Sequence, residues 1–533
     1  MANISQSTQK LIKSYQFWHQ SLQRKEGETT LHVDEVASRV AAFYEKIRGV
    51  IDWREEHLIR KTAIERILKR RLFLAEDSKD IASPFLLELI RGGHFPNDST
   101  PEPKVEEVQR IIDKFSFILK NFPELSQKEK LQLADFFLGI AACEVEECLS
   151  PPLRERALID YMTEIIEGRI EIKEGALTIG GVRLEERNTQ IYIAVQRALY
   201  KFDNILIAFH LLERRFPQWS KVSIVELQEI IKNIFGIWQE IEQSLRHPLA
   251  EKFYKIAENY DTAYLILGDI ISENSLTAQD IISNPESLEI LIRGVYQKRL
   301  RKSREKVRRA ALYSTISIFI TKMLLALTAE AGFERVIAGG INYLTLGLNI
   351  SIPPILMGLL IISIRPPSKE NLQRVTIEVM KIVYEREKKD TYKIKPYLKR
   401  GFLMTVFLLI FYSLSFIISF GIIIWGLLKL KFNTLSIIIF LVFLSLILFA
   451  GTRIRQRAKE LEIGEEKESI LSFIFDFLTL PIVRVGKWLS SQWERYNVLV
   501  VVFNLLIELP FQFFTEFLEQ LRYFWKEKKE EIH

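Results

Sequence analysis

From Gly401 to Leu428 this chain reads GFLMTVFLLIFYSLSFIISFGIIIWGLL, and from Phe432 to Thr452 it reads FNTLSIIIFLVFLSLILFAGT; neither stretch contains a charged residue. A helix packed in a water-soluble core keeps a polar stripe for its outer face, and these two have none. Each also reaches the length of about 20 apolar residues that crosses a hydrocarbon layer about 30 Å thick. Two further segments meet the same requirement. Residues 310–329 are apolar except for Lys322, and residues 340–364 are uncharged. The expected fold class is therefore mainly α, a polytopic membrane protein with four transmembrane helices at 310–329, 340–364, 401–428 and 432–452.

Basic residues give these spans a direction. Residues 298–309, KRLRKSREKVRR, hold eight basic side chains and one acid; the loop 365–400 holds eleven against five; Arg453, Arg455, Arg457 and Lys459 follow the fourth span. The two alternate loops are poor in Lys and Arg. Positive charge collects on the cytoplasmic side, so both termini and the loop 365–400 are expected in the cytoplasm of a cell bounded by this plasma or inner membrane. The same clusters suit anionic lipid head groups, so the bilayer itself is the first expected partner. The opening segment MANISQSTQKLIKSYQFWHQS lacks an apolar h-region, so no cleaved signal peptide is expected.

Although 48% of the 533 residues are hydrophobic, they concentrate after position 310. The first 297 residues read as a large helical cytoplasmic region, divided into 1–92 and 104–297 by the linker GGHFPNDSTPEP. Val36, Val40, Phe43, Ile47 and Val50 form an apolar stripe behind Asp34 as N-cap, and Leu227, Ile231, Ile234, Trp238, Ile241 and Leu245 form another. Residues 169–186, RIEIKEGALTIGGVRLEE, alternate around Gly175 and Gly180–Gly181 and predict one small β-meander inserted between helices. The basic run RKTAIERILKRRLFL at 60–74 is interrupted by acids and carries its own apolar face, so no nucleic acid is expected. After residue 453, the stretches 469–493 and 497–525 contain short apolar runs with charges and suit interfacial or re-entrant helices.

No motif carries chemistry. The seven histidines are scattered, Cys143 and Cys148 lie five apart without a partner pair, and there is no HExxH, P-loop, GxSxG or strand-borne GxGxxG. No catalytic residue, cofactor or metal is assigned. Two intramembrane features stand out instead. Lys322 either reaches for the outer interface, or pairs within the bundle with a group such as Glu330, or serves a site. Pro353 and Pro354 remove two backbone donors and predict a break or kink near Asn349 to Ile352, where Asn349 and Ser351 with Lys322 would line a mid-membrane spot. The leading expectation is a membrane-anchored, non-enzymatic scaffold or interaction protein with a protein partner or a homo-oligomeric state. The alternatives are a channel or transporter subunit and a lipid-processing enzyme.

Overall fold

The computed structural model describes residues 3–22, 29–33, 56–74, 80–172, 184–326, 328, 343–363, 367–384, 391–394, 401–464 and 470–496, with Phe517, Leu521 and Phe524. The described chain is mainly helical. It forms two compact units: Gln6–Ile170 with Gly180–Glu258 and Leu499–His533, and Met1–Ser5 with Glu171–Ile179 and Asn259–Val498.

The first unit contains α1 (Gln6–Ser21), α2 (Glu56–Leu74), α3 (Ala82–Arg91), α4 (Pro103–Lys120), α5 (Gln127–Leu149), α6 (Leu153–Glu167), α7 (Leu184–Tyr200), α8 (Asn204–Arg215), α9 (Ile224–Lys232), α10 (Ile234–Leu245) and α11 (Ala250–Glu258). Helix α5 is its axis. A capping box opens it, with Ser126 Oγ accepting from the Glu129 amide and the Glu129 carboxylate accepting from the Ser126 amide. From Phe136 to Glu147 every residue of α5 is buried, because α2, α4 and α8 pack around it. At Gly139 an added Cβ would sit 2.8 Å from Ile205 Cγ2, so only glycine admits α8 this closely. The stripe Leu227, Ile231, Ile234, Ile241 and Leu245 is buried as expected, but it runs over two helices joined at Asn233, with Trp238 half-buried.

The second unit begins with α12 (Asp261–Glu273) and α13 (Ala278–Ser283) and continues into α14 (Pro285–Leu325), a single helix of 41 residues. At 1.5 Å per residue it is about 60 Å long. Helix α15 (Tyr343–Ser363) follows, then α16 (Lys369–Val383), α17 (Phe402–Lys429), α18 (Thr434–Ala458) and α19 (Ile470–Tyr496). Val375, Val379, Ile382 and Val383 of α16 are buried where it packs on α12 and α14. The Asn371 amide fastens that layer: its Nδ2 donates to Tyr296 Oη at 2.9 Å and to the Leu461 carbonyl at 2.6 Å, and its Oδ1 accepts from the Ile463 amide at 2.8 Å.

Among the described residues, three helices are long and apolar enough to cross a membrane: Thr345–Ile362, Phe402–Lys429 and Thr434–Ala458. The apolar end of α14, Ala310 to Leu325, is helical but shorter, about 24 Å of rise. The β-meander is not what the structure shows of residues 169–186. Ile170–Ile172 is a strand (β1), paired with Tyr392–Ile394 (β2) far along the chain, and Leu184 to Glu186 already belong to α7. Residues 173–183, the Asp34 to Val50 stripe and most of 497–525 lie outside the described residues.

Candidate functional site

Helices α14, α15 and α18 pack on one another and enclose Lys322. Its side chain is fully buried, with Nζ 5.2 Å from the centroid of the Phe443 ring. The ammonium thus turns inward onto an aromatic face, rather than out toward the edge of the bundle. Its level follows from a second contact layer, in which Ala311 of α14 shares a cluster with Met357 of α15 and Ile454 of α18. Ala311 to Lys322 and Ile454 back to Phe443 are both eleven residues, about 16 Å of rise along antiparallel helices. Lys322 therefore lies about 16 Å beyond the basic ends of these helices.

On α15 the buried positions recur every four residues, at Thr345, Asn349, Pro353 and Met357. Asn349 lies about 12 Å and Thr345 about 18 Å from the Met357 level, which brackets Lys322. The structure thus brings Lys322, Asn349 and Pro353 to the inner faces, adds Thr345, and leaves Pro354 half-buried. Ser351 is exposed on the outer face, so the sequence reading misplaced it.

Of the expected break or kink in α15, the break is not what the structure shows: the helix runs from Tyr343 to Ser363 through both prolines. Proline's fixed φ is itself helical, and only the donors are lost. Pro353 has no N–H to offer the Asn349 carbonyl, which belongs to a residue on the inward face at the level of Lys322. Helix α19 shows how such a loss is repaired. Pro481 has no N–H for the Phe477 carbonyl, and Ser415 Oγ of α17 donates to that carbonyl at 2.9 Å, while Ser419 Oγ donates to the Leu478 carbonyl at 2.8 Å.

Across α17 and α18 four hydroxyl side chains are turned inward while large apolar side chains are exposed on the outside. Ser415, Ser419, Ser436 and Ser445 are buried, whereas Phe402, Leu403, Ile417 and Trp425 are 64–84% exposed. Water-soluble proteins arrange these residue types the other way round.

A second polar cluster, in the first unit, escaped the sequence reading. Glu144, Glu146 and Glu147 of α5 are all buried. Lys114 Nζ donates to Glu144 at 2.6 Å and to the Trp219 carbonyl at 3.0 Å, lies 4.6 Å from the Trp219 ring centroid, and Trp219 Nε1 donates to Glu144 at 2.9 Å. Arg60 pairs with Glu146 at 2.9 Å. Glu147 is held by Arg156 and by His210 Nε2 at 2.7 Å, and Arg156 continues to Glu213 at 2.6 Å. Burial pushes the Glu146 carboxyl up to about 7 despite Arg60. Burial also raises Glu144 and lowers Lys114. For Glu147 burial is outweighed by the His210 hydrogen bond and the Arg156 charge, which hold it below its ordinary value. Each carboxylate meets a cation or donor at contact distance, so the cluster reads as a closed electrostatic core for the bundle.

Among the described residues no group of three or more His, Cys, Asp or Glu is placed to hold a metal ion. Cys143 is buried and Cys148 half-buried, both as free thiols; burial raises Cys143 well above its ordinary value and Cys148 to about 12. Neither is a poised nucleophile. No family model, no curated protein and no solved structure matches this chain.

Proposed function

We propose that the chain is a multi-pass membrane protein that holds a helical cytoplasmic region, residues 1–297, at the inner face of a cell membrane as a non-enzymatic scaffold or interaction domain. The observation that carries this reading is the outer surface of α15, α17 and α18, where large apolar side chains such as Ile362, Leu403 and Ile438 are exposed while Ser415, Ser419, Ser436 and Ser445 are buried. Such a surface needs lipid around it. In this reading the end of α14 supplies the first of four spans, and residues 298–309, the loop 365–400 and Arg453 to Lys459 share the cytoplasmic side. Helix α14 supports the anchoring role, because it continues without interruption from the layer of α12, α13 and α16 to the bundle.

The test is native mass spectrometry of the detergent-purified full-length protein, with solute flux measured in liposomes. The scaffold reading expects a second protein retained in fixed ratio and no flux. A homo-oligomer that conducts solute would overturn it.

One observation favours a transport reading as the second choice. Set in a bilayer, Lys322 lies about half-way through a layer about 30 Å thick, where ionisable side chains are costly and commonly functional. That reading expects flux that Lys322→Leu abolishes while the protein stays folded; flux unaffected by Lys322→Leu would sink it.

A further inference from the structure

Where α15 ends at Ser363 and α18 at Ala458, α14 continues, and the step between them forms a crevice of about 500 Å³, within the usual range of ligand pockets, about 300–1,000 Å³. One face of α14 forms its length. Val307 and Ala311 give it an apolar floor, Ile361 and Ala458 line it from the other two helices, and Arg304 and Arg308 belong to its lining on α14. We propose that this crevice binds one anionic diacyl phospholipid from the cytoplasmic leaflet, an acyl chain lying along Val307 to Ala311 and the phosphodiester between the two guanidinium groups.

Three features select that ligand. Arg304 and Arg308 are one helical turn apart on the same face, and guanidinium is the side chain suited to bidentate phosphate contacts. They are not committed elsewhere: Lys298 pairs with Glu273 and Arg299 with Asp269, whereas among the described residues Arg301, Lys302, Arg304, Lys306, Arg308 and Arg309 have no ion pair. Finally, no acid lines the crevice among the described residues, so a choline or ethanolamine ammonium finds no counter-charge there. A lipid with net negative charge is favoured over a zwitterionic one. The apolar floor begins at the boundary between the basic segment and the apolar end of α14, where the head groups of the inner leaflet would lie. The proposal rests on the membrane reading above, and names the lipid class and the residues that hold it.

The experiment is native mass spectrometry of full-length protein in detergent, titrated with dioleoylphosphatidylglycerol and, separately, dioleoylphosphatidylcholine. One phosphatidylglycerol should be retained in preference to phosphatidylcholine. Arg304→Gln/Arg308→Gln should weaken that retention roughly tenfold or more, while Arg301→Gln/Lys302→Gln, which removes equal charge away from the crevice, should not. Glycerol 3-phosphate at equal concentration should not displace the lipid. Equal retention by the Arg304→Gln/Arg308→Gln variant, equal loss in the control variant, equal binding of phosphatidylcholine, or displacement by glycerol 3-phosphate would each overturn the proposal. Release of the protein from membranes by sodium carbonate would instead overturn the membrane reading beneath it.

Discussion

The replacement Lys114→Met tests whether the polar core of the first unit is as buried as described. Lys114 and Glu144 are 8% and 6% exposed and 2.6 Å apart. Methionine fills the lysine stem's volume but leaves Glu144 in the interior with only the Trp219 indole as donor. Breaking a buried pair on one side costs about 3–5 kcal/mol. That cost depends on pH. Burial already raises the Glu144 carboxyl above its ordinary value, and loss of the Lys114 charge raises it further. The folded variant then binds a proton that the unfolded chain has released, so its stability falls as pH rises above the ordinary carboxylate range, by at most about 1.4 kcal/mol per pH unit. Glu144→Leu alone leaves an uncompensated ammonium and should cost a similar amount. The double variant carries no buried charge and should lose less than the sum of the two, with a coupling energy of about 3 kcal/mol. Denaturant unfolding followed by tryptophan fluorescence at pH 5.5 and 8 reads these quantities. Single variants that each cost less than about 1 kcal/mol and add in the double would show a solvated surface pair, and would refute the reasoning.

Glu146, pushed up to about 7 by burial, makes the folded chain bind more protons than the unfolded one between about pH 4.5 and 7; its contribution to stability therefore falls as pH rises through that window, by on the order of 3 kcal/mol. Glu146→Gln should flatten that part of a thermal-unfolding pH profile. Ser415→Ala should cost about 1 kcal/mol by uncovering the Phe477 carbonyl, and Pro481→Ala, which restores its helical donor, should suppress that loss in a thermal-shift assay. At Gly486 an added Cβ would overlap the Ser445 carbonyl oxygen and approach Phe449 Cβ at 2.9 Å; Gly486→Ala should lower stability by about 1–3 kcal/mol as α19 is pushed from α18, visible as a lower melting temperature in detergent.

The apolar helices were legible in the sequence because a span without a polar face leaves one environment open to it. A break at their prolines did not follow, because a rule that counts lost donors sees neither that proline's own φ is helical nor that a hydroxyl on another helix, Ser415 for Pro481, can take the donor's place. Lys322 was recognisable as costly, yet its inward turn depends on Phe443, 121 residues away in sequence. The buried glutamates of α5 went unread because their partners Arg60, Lys114, Arg156 and His210 come from four other segments. A signal was present: no charged residue occurs from Phe136 to Cys143, so the helix that carries Glu144 was already apolar on every side. The alternation in residues 169–186 suggested a local meander, but Ile170–Ile172 pairs with a strand more than 200 residues later, which short-range patterning does not encode.

The four-span anchoring at the centre of this account is tested most directly by cysteine accessibility in intact cells. In a Cys148→Ser background, single cysteines at Lys302, Thr391 and Lys431 are exposed to a membrane-impermeant maleimide. The account predicts labelling at position 431 alone, with 302 and 391 labelled only after the membrane is opened. Positions 302 and 391 on opposite sides, or all three on one side, would contradict it.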